Sequence, residues 1–134
     1  MVRLVITGGR DFRQRDWITW HMNEFQRAHG PIRLLIHGDA NGLDRTAGSV
    51  AEDMGIEVQK VPAKWDEIDV PGAVVKVNKF GRKYNVLAGR WRNTEMIKVW
   101  HPDFGMVFPG GSGTAHMKNE MMIYGVPIWD ATEL

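Results

Sequence analysis

The chain contains no cysteine, and this absence excludes both a disulfide framework and zinc sites built from thiolates. It also lacks an apolar run long enough to cross a bilayer and shows no targeting segment, so we expect a cytoplasmic protein with no membrane partner. An excess of one charge sign is missing as well, because 17 Lys and Arg stand against 16 Asp and Glu. Any basic function must therefore be local, since no global field attracts nucleic acid or an acidic partner.

The length of 134 residues is typical of one domain with one hydrophobic core. A chain of this size buries roughly two thirds of its unfolded surface and needs no covalent staple. No tandem repeat, low-complexity tract or interdomain linker interrupts the sequence. We therefore predict one domain over residues 1–134.

A short apolar run followed by a glycine turn and a helical pattern occurs three times along the chain. These units are residues 2–29, 32–54 and 104–124. Two further strands and the end of another helix are predicted at residues 56–61, 126–129 and 94–100. Strands that alternate with helices through short connections predict an α/β fold, with a mainly parallel five-stranded sheet covered on both faces.

The alternation lapses before the third helix, where an insertion of about residues 66–87 mixes apolar and cationic side chains. Residues 78–81 favour a turn, so we predict a hairpin-like insertion. Long loops in compact domains are usually functional or mobile, and a lid, a dimer arm and a flexible flap all remain open here.

The turn after the third of these runs is rich in glycine and precedes a helical pattern. Glycines let several main-chain N–H groups converge, and a helix that begins there adds the positive end of its dipole. A phosphate is therefore the expected ligand. The predicted phosphate-binding residues are Pro109, Gly110, Gly111, Ser112, Gly113 and Thr114. The turn lacks the Lys-Ser/Thr ending of a nucleoside-triphosphate P-loop, which disfavours Mg-ATP hydrolysis.

The first glycine turn also follows a predicted strand, and the carboxyl ends of parallel strands meet at one edge of a sheet. Gly8 and Gly9 offer main-chain donors there, and the guanidinium of Arg10 can grip a phosphate or a carboxylate. The alternative is a surface turn in which Arg10 pairs with Asp11.

The second glycine turn carries two carboxylates. Asp39 and Asp44, with Gly38 beside them, suit the recognition of ribose hydroxyls. Alternatively, Asp39 or Asn41 caps the next helix and Asp44 complements its dipole. His37 ends an apolar strand and is expected to be a hydrogen-bonded structural histidine.

Four ordered motifs carry a specific resemblance. They are Gly8-Gly9-Arg10-Asp11-Phe12, His37-Gly38-Asp39-Ala40-x-Gly42-x-Asp44, Ala88-Gly89-x-x-Arg92-Asn93-x-x-Met96 and Pro109-Gly110-Gly111-x-Gly113-Thr114. In this order they resemble the SLOG superfamily, and most closely its small bacterial and phage branch related to YspA and YpsA. The resemblance covers nearly the whole chain except the insertion. More distantly, the chain is similar to the Lonely guy phosphoribohydrolases and to DNA-processing protein A.

This resemblance implies a Rossmann-like three-layer sandwich with strand order 3-2-1-4-5 and a pocket for a nucleotide or an ADP-ribose-like ligand. Arg92 and Asn93 then join the expected ligand-binding residues. The resemblance also implies a homodimer or a higher homo-oligomer. We expect neither a metal site nor a required cofactor.

The last motif departs from the hydrolase pattern PGGxGTxxE, because Met117 stands where those enzymes carry the glutamate. A methionine neither takes up a proton nor stabilises a cation through a carboxylate. Asn93 likewise replaces the lysine of the hydrolase Arg-Lys pair with an amide. His116 and Glu120 lie nearby in the sequence, and we expect a partly exposed helix histidine and a surface glutamate.

Three functions therefore compete. The leading hypothesis is a nucleotide-binding module that senses or sequesters its ligand. The second is a nucleotide N-glycosidic hydrolase whose candidate catalytic residues are Asp44, His116 and Glu120. The third is binding of single-stranded nucleic acid through the cations and aromatics of the insertion. An amphipathic hairpin with a solvated lysine face explains the same insertion without nucleic acid.

Overall fold

The computed structural model describes residues 1–133. Its elements are, in chain order, β1 (Val2–Thr7), α1 (Arg15–His29), β2 (Ile32–His37), α2 (Leu43–Asp53), β3 (Glu57–Lys60), β4 (Val75–Val77), β5 (Lys83–Asn85), α3 (Ala88–Lys98), β6 (Phe104–Val107), α4 (Ser112–Ile123) and β7 (Ile128–Asp130). Over these described residues, none of the helices combines the length and the apolar character needed to cross a membrane.

Five strands form one parallel sheet in the order β3-β2-β1-β6-β7. Since β4 and β5 belong to the insertion, this is the predicted order 3-2-1-4-5, and the α/β, Rossmann-like fold is confirmed. The central strand β1 pairs Leu4 with Leu35 of β2 on one side and with Phe104 of β6 on the other. From β1 the chain adds β2 and β3 on one side, and then returns to add β6 and β7 on the other side. Ligands bind at such a reversal of strand order, so the carboxyl ends of β1 and β6 are the expected ligand crevice.

The two faces of the sheet bury separate apolar clusters, because successive side chains of a strand point to opposite sides. Leu4 and Ile6 pack with residues of α1 and α2. Val5, between them, packs with residues of α3 and α4. All three side chains are fully buried, which explains why these strands are continuous apolar runs rather than alternating ones.

The insertion forms the predicted hairpin. Strands β4 and β5 pair antiparallel, and the side-chain oxygen of Asn78 accepts hydrogen bonds from the N–H groups of Phe80 and Arg82 at 2.9 and 3.0 Å. The turn therefore lies where residues 78–81 predicted it. At the base, the buried Asn85 Oδ1 accepts from the N–H groups of Val74 and Leu87, which fixes the hairpin to the start of α3.

Candidate functional site

The three glycine turns meet at one edge of the sheet. The Gly9 N–H donates to the Pro109 carbonyl at 2.8 Å, and the Leu43 N–H donates to the Gly9 carbonyl at 3.1 Å. The first turn thus joins the second turn to the third through main-chain hydrogen bonds. We call these three joined turns the rim. The site predicted from the sequence requires them to lie together.

A cavity of about 710 Å³ opens at this rim. Most of the predicted site residues line it: Gly8, Gly9, Arg10, Asp44, Arg92, Asn93, Pro109, Gly110, Gly111, Ser112, Gly113, Thr114 and His116. Gly38, Asp39 and Glu120 are absent from this lining. The residues predicted from four separate motifs therefore surround one space.

Gly38 and Asp39 line a smaller neighbouring cavity of about 300 Å³. The two cavities share four lining residues: Arg10, Ala40, Trp65 and Arg92. The site therefore has two adjoining compartments, with two arginines at their boundary.

Helix α4 begins at the third turn with its first N–H groups unsatisfied. Gly111 is the N-cap residue and no side chain caps the helix. The Ala115 N–H donates to the Gly111 carbonyl at 3.0 Å, whereas the N–H groups of residues 110–114 have no acceptor among residues 1–133. Free main-chain donors at the positive end of a helix dipole form an anion-binding environment.

The glycines of the rim fall into two groups. A Cβ on Gly8 would lie 2.6 Å from Leu43 Cγ, and a Cβ on Gly110 would overlap the Thr114 hydroxyl, so packing within the protein requires glycine at both positions. A Cβ on Gly111 or Gly113 would meet no described atom within 4 Å apart from its chain neighbours and the backbone of its own helix. The fold itself does not require glycine at these two positions, but a ligand that approaches the main chain would.

Arg92 of α3 reaches across to the second turn. Its Nη1 donates to the Gly38 carbonyl and its Nε donates to Asn93 Oδ1 at 3.0 Å. A Cβ on Gly38 would lie 2.6 Å from Arg92 Cζ, so the missing side chain makes room for the guanidinium. Burial lowers the pKa of Arg92, and the neighbouring charge of Asp44 opposes this. Arg92 lines both cavities, and its Nη2 has no hydrogen-bond acceptor within residues 1–133.

Asp44 lies in the first turn of α2 and is buried, with only 7% of its surface exposed. Its Oδ2 accepts hydrogen bonds from the N–H groups of Gly38 and Ala40 at 3.1 and 3.3 Å. Burial raises the pKa of Asp44 from 3.8 to about 6, although these hydrogen bonds and the Arg92 charge oppose the shift. The carboxyl can therefore exchange a proton within about one pH unit of neutrality, as acid–base chemistry requires.

The alternative in which Asp39 or Asn41 caps α2 is wrong. The N-cap residue is Gly42, which has a φ of 79° and lies so close to the Arg10 carbonyl that a Cβ would overlap it. Asp39 Oδ1 instead lies 3.5 Å from the Arg45 guanidinium, and Asn41 Oδ1 accepts a hydrogen bond from Arg45 Nη1 at 2.8 Å.

His37 has the structural role expected for it. The side chain is 1% exposed, and its Nδ1 accepts a hydrogen bond from the Asp39 N–H at 2.9 Å. Burial lowers the pKa of His37 to about 4, so the imidazole is neutral at physiological pH. Its Nε2 lies against Gly48, where a Cβ would be 2.7 Å away.

Helix α4 corrects the expectation for Glu120. Its side chain is mostly buried, with 14% exposed, and does not lie on the surface as expected. Its Oε1 lies 3.3 Å from His116 Nε2. His116 Nδ1 lies 3.1 Å from Asn93 Nδ2, so both ring nitrogens have partners within the protein. Met117, at the position of the hydrolase glutamate, is fully buried in the core.

Four apolar residues that the sequence analysis did not assign to the site also line the larger cavity: Phe12, Trp65, Val86 and Met96. The ring of Phe12 packs on Phe108 at a centroid distance of 5.3 Å. Trp65 was recognisable in principle, because it follows the carboxyl end of β3 at the same edge of the sheet.

Comparison with known families agrees with these motifs. The family model YAcAr, described as the YspA, cpYpsA-related SLOG family, matches residues 2–67. This segment is about half of the chain and contains the first two glycine turns, whereas Arg92 and the third turn lie beyond it. A search of curated proteins gives no significant match. With the motif order, the sheet order and this match in agreement, the chain belongs to the YspA, cpYpsA-related SLOG family.

Proposed function

We propose that this protein binds a nucleotide or a nucleotide-derived small molecule, as a module that senses or sequesters it. The observation that carries the proposal is the row of N–H groups at residues 110–114, which lack a protein acceptor within residues 1–133 and line the cavity. A phosphate placed there accepts several main-chain hydrogen bonds and lies at the positive end of α4.

The cationic residues of the site support the same placement. Arg92 is held within the cavity by its bonds to the second turn and to Asn93, and it keeps Nη2 for a ligand. Arg10 is exposed and lines both compartments. A guanidinium gives two parallel hydrogen bonds to a phosphate, which a single ammonium cannot.

The remaining surfaces suit the rest of a nucleotide. The Asp44 carboxyl can accept a hydrogen bond from a ribose hydroxyl, because only its Oδ2 is used by the protein. Phe12 and Trp65 supply flat apolar surfaces for a base. The smaller compartment gives room for a second polar arm, as an ADP-ribose-like ligand would need.

A nucleotide N-glycosidic hydrolase is the second candidate, and the raised pKa of Asp44 is the observation that favours it. Such an enzyme needs a group that gives or takes a proton near neutral pH. Met117 supplies no carboxylate, and the ring nitrogens of His116 are both engaged by Asn93 and Glu120. Asp44 is therefore the residue on which this activity would depend.

Isothermal titration calorimetry against nucleoside monophosphates, ADP-ribose and NAD tests the binding proposal, with the matching nucleosides as phosphate-free controls. We expect heat from at least one phosphate-bearing ligand and none from its nucleoside. Arg92→Gln should lower the affinity for that ligand at least about tenfold, a loss of about 1.4 kcal/mol in binding free energy. Arg33→Gln is the matched control, because Arg33 is exposed on β2 and lies outside both cavities.

Chromatography of the titrated samples distinguishes the two candidates. Release of free base that Asp44→Asn abolishes would support the hydrolase. Tight binding without release would exclude it and leave the binding module. If none of the phosphate-bearing ligands produces heat, the proposed binding function is wrong.

A further inference from the structure

We infer that Asn93, His116 and Glu120 form a brace of polar contacts that fixes the Arg92 guanidinium relative to the N–H groups at the start of α4. These three are positioning residues, which act on a ligand through Arg92 rather than by touching it. The inference rests on the proposed function only for the ligand, because the brace itself lies within the protein.

The direction of each hydrogen bond follows from the chemistry of the groups. Arg92 Nε can only donate, so the atom of Asn93 that faces it at 3.0 Å must be the oxygen. This fixes the orientation of the Asn93 amide. Its nitrogen then donates to the Gly113 carbonyl at 3.3 Å and to His116 Nδ1 at 3.1 Å.

The contact with Asn93 also determines which ring nitrogen of His116 carries the proton. Because Nδ1 accepts from the amide nitrogen of Asn93, a neutral imidazole must carry its proton on Nε2. That nitrogen lies 3.3 Å from Glu120 Oε1, so the protonated Nε2 is in electrostatic contact with a carboxylate. An acceptor-only carboxylate at the end therefore selects one tautomer of His116 and one orientation of Asn93.

The brace is sheltered from solvent. Asn93 is 5% exposed, and the side chains of His116 and Glu120 are 18% and 14% exposed. Hydrogen bonds at such positions compete less with water than those on the surface. Asn93, one of the expected ligand-binding residues, thus uses both ends of its amide within the protein.

The position of the brace connects the two halves of the anion site. Asn93 belongs to α3, and Gly113 lies in the first turn of α4. A single amide thus holds the guanidinium through its oxygen and the start of α4 through its nitrogen. Without it, Arg92 keeps only its bond to the Gly38 carbonyl.

The first test uses the ligand-free protein, so it does not depend on the proposed function. Imidazole ¹⁵N spectra at about pH 8, where an ordinary histidine is neutral, should show His116 protonated on Nε2. The exchange of the Arg92 Nε–H with water should become at least about threefold faster in Glu120→Ala, since a lost hydrogen bond of average strength corresponds to a change of this size. Glu120→Gln keeps an acceptor oxygen and should restore the wild-type rate.

The second test measures affinity for inorganic phosphate and for nucleoside monophosphates. Glu120→Ala should lower the affinity for each phosphate-bearing probe about threefold to tenfold, and Asn93→Ala should lower it at least about tenfold. Glu120→Gln should rescue binding, which a general loss of stability would not explain. Glu95→Gln is the matched control, because Glu95 is exposed on α3 and takes no part in the brace.

The two tests separate the two failures. If no probe binds, but the His116 tautomer and the Arg92 exchange rate depend on Glu120, the proposed function is wrong and the brace stands. An Nδ1-protonated His116, or an Arg92 exchange rate unchanged in Glu120→Ala, would overturn the brace. Glu120→Ala keeps the test decisive if Asn93→Ala does not fold, because Glu120 lies at the far end from the site.

Discussion

At the scale of single residues, the ionised form of Asp44 lowers the stability of the fold but favours the proposed binding. Its carboxyl is buried and its pKa is raised to about 6, so the ionised form is less favourable in the folded chain than in water. The same ionised form is the better acceptor for a ligand hydroxyl. Functional groups often carry such a cost in stability.

The pH dependence of this cost has a defined sign. The folded protein holds the Asp44 proton more tightly than the unfolded chain, so this group favours folding most below about pH 4 and loses that contribution as the pH rises to about 6. We expect Asp44→Asn to match the wild type at about pH 4 and to be up to roughly 3 kcal/mol more stable at about pH 7. Urea unfolding in phosphate-free buffers measures both.

Only the difference between the two proteins is diagnostic, because other groups titrate equally in both. A difference in unfolding free energy that stays constant from about pH 4 to pH 7 would contradict the raised pKa of Asp44. The same variant should bind the ligand more weakly, since an amide replaces the carboxylate.

Residue-scale expectations were correct where chain neighbours decide the outcome, and they failed where distant partners do. The structural role of His37 could be inferred from its position at the end of an apolar strand. Glu120 could not be placed, because its burial depends on the pairing with His116 and on the contact of His116 with Asn93 of α3. A sequence without its fold gives no information about such contacts between helices.

At the scale of elements, the strand–turn–helix units could be predicted because each one has a local pattern. The apolar runs gave the five parallel strands, and the hairpin followed from its turn. The start of α2 could not be predicted, because its N-cap is Gly42, which has a positive φ, lies against the Arg10 carbonyl and brings no capping side chain. Binding of single-stranded nucleic acid by the hairpin stays a prediction.

The start of α4 gives a prediction that separates folding from binding. Gly113→Ala should leave stability unchanged or raise it by about 0.5–1 kcal/mol, because alanine is the better helix former and its Cβ meets no described atom within 4 Å apart from its chain neighbours and the backbone of its own helix. We expect the same variant to weaken phosphate binding at least about tenfold, since the methyl group narrows the approach to the main chain. Thermal unfolding and calorimetry on one sample measure both effects.

Gly48→Ala is the matched control within α2. Its Cβ would lie 2.7 Å from His37 Nε2, so the protein should lose about 1–3 kcal/mol of stability. Gly48 lies outside both cavities, and the folded fraction should keep its affinity. Wild-type phosphate affinity in Gly113→Ala would mean that the ligand does not approach this turn.

At the scale of the whole molecule, the homodimer implied by the family resemblance stays a prediction, and one surface is suited to it. Exposed apolar side chains gather where α3 and α4 end: Val99, Met122, Ile123 and Tyr124. Lys98 Nζ lies 5.8 Å from the ring centre of Tyr124, which shows that the two helix ends are neighbours. Apolar surface of this kind on a small protein is typical of an interface.

Analytical ultracentrifugation tests this surface. We expect the wild type to sediment as a dimer and Ile123→Lys to sediment as a monomer, because a buried lysine would oppose the contact. Asn119→Lys is the matched control, because Asn119 is exposed on the same helix and the substitution adds the same charge outside this surface. A monomeric wild type would contradict the prediction.

The main-chain bonds that join the three turns have a kinetic consequence. Gly9 is hydrogen-bonded to Pro109 on one side and to Leu43 on the other, so main-chain bonds fix the third turn and the second turn relative to each other. If a ligand binds as proposed, it would have few main-chain degrees of freedom of the turns to immobilise, and we expect no slow rearrangement before it binds. Competing metabolites should accordingly arrive at similar speeds and be sorted by how long each one stays.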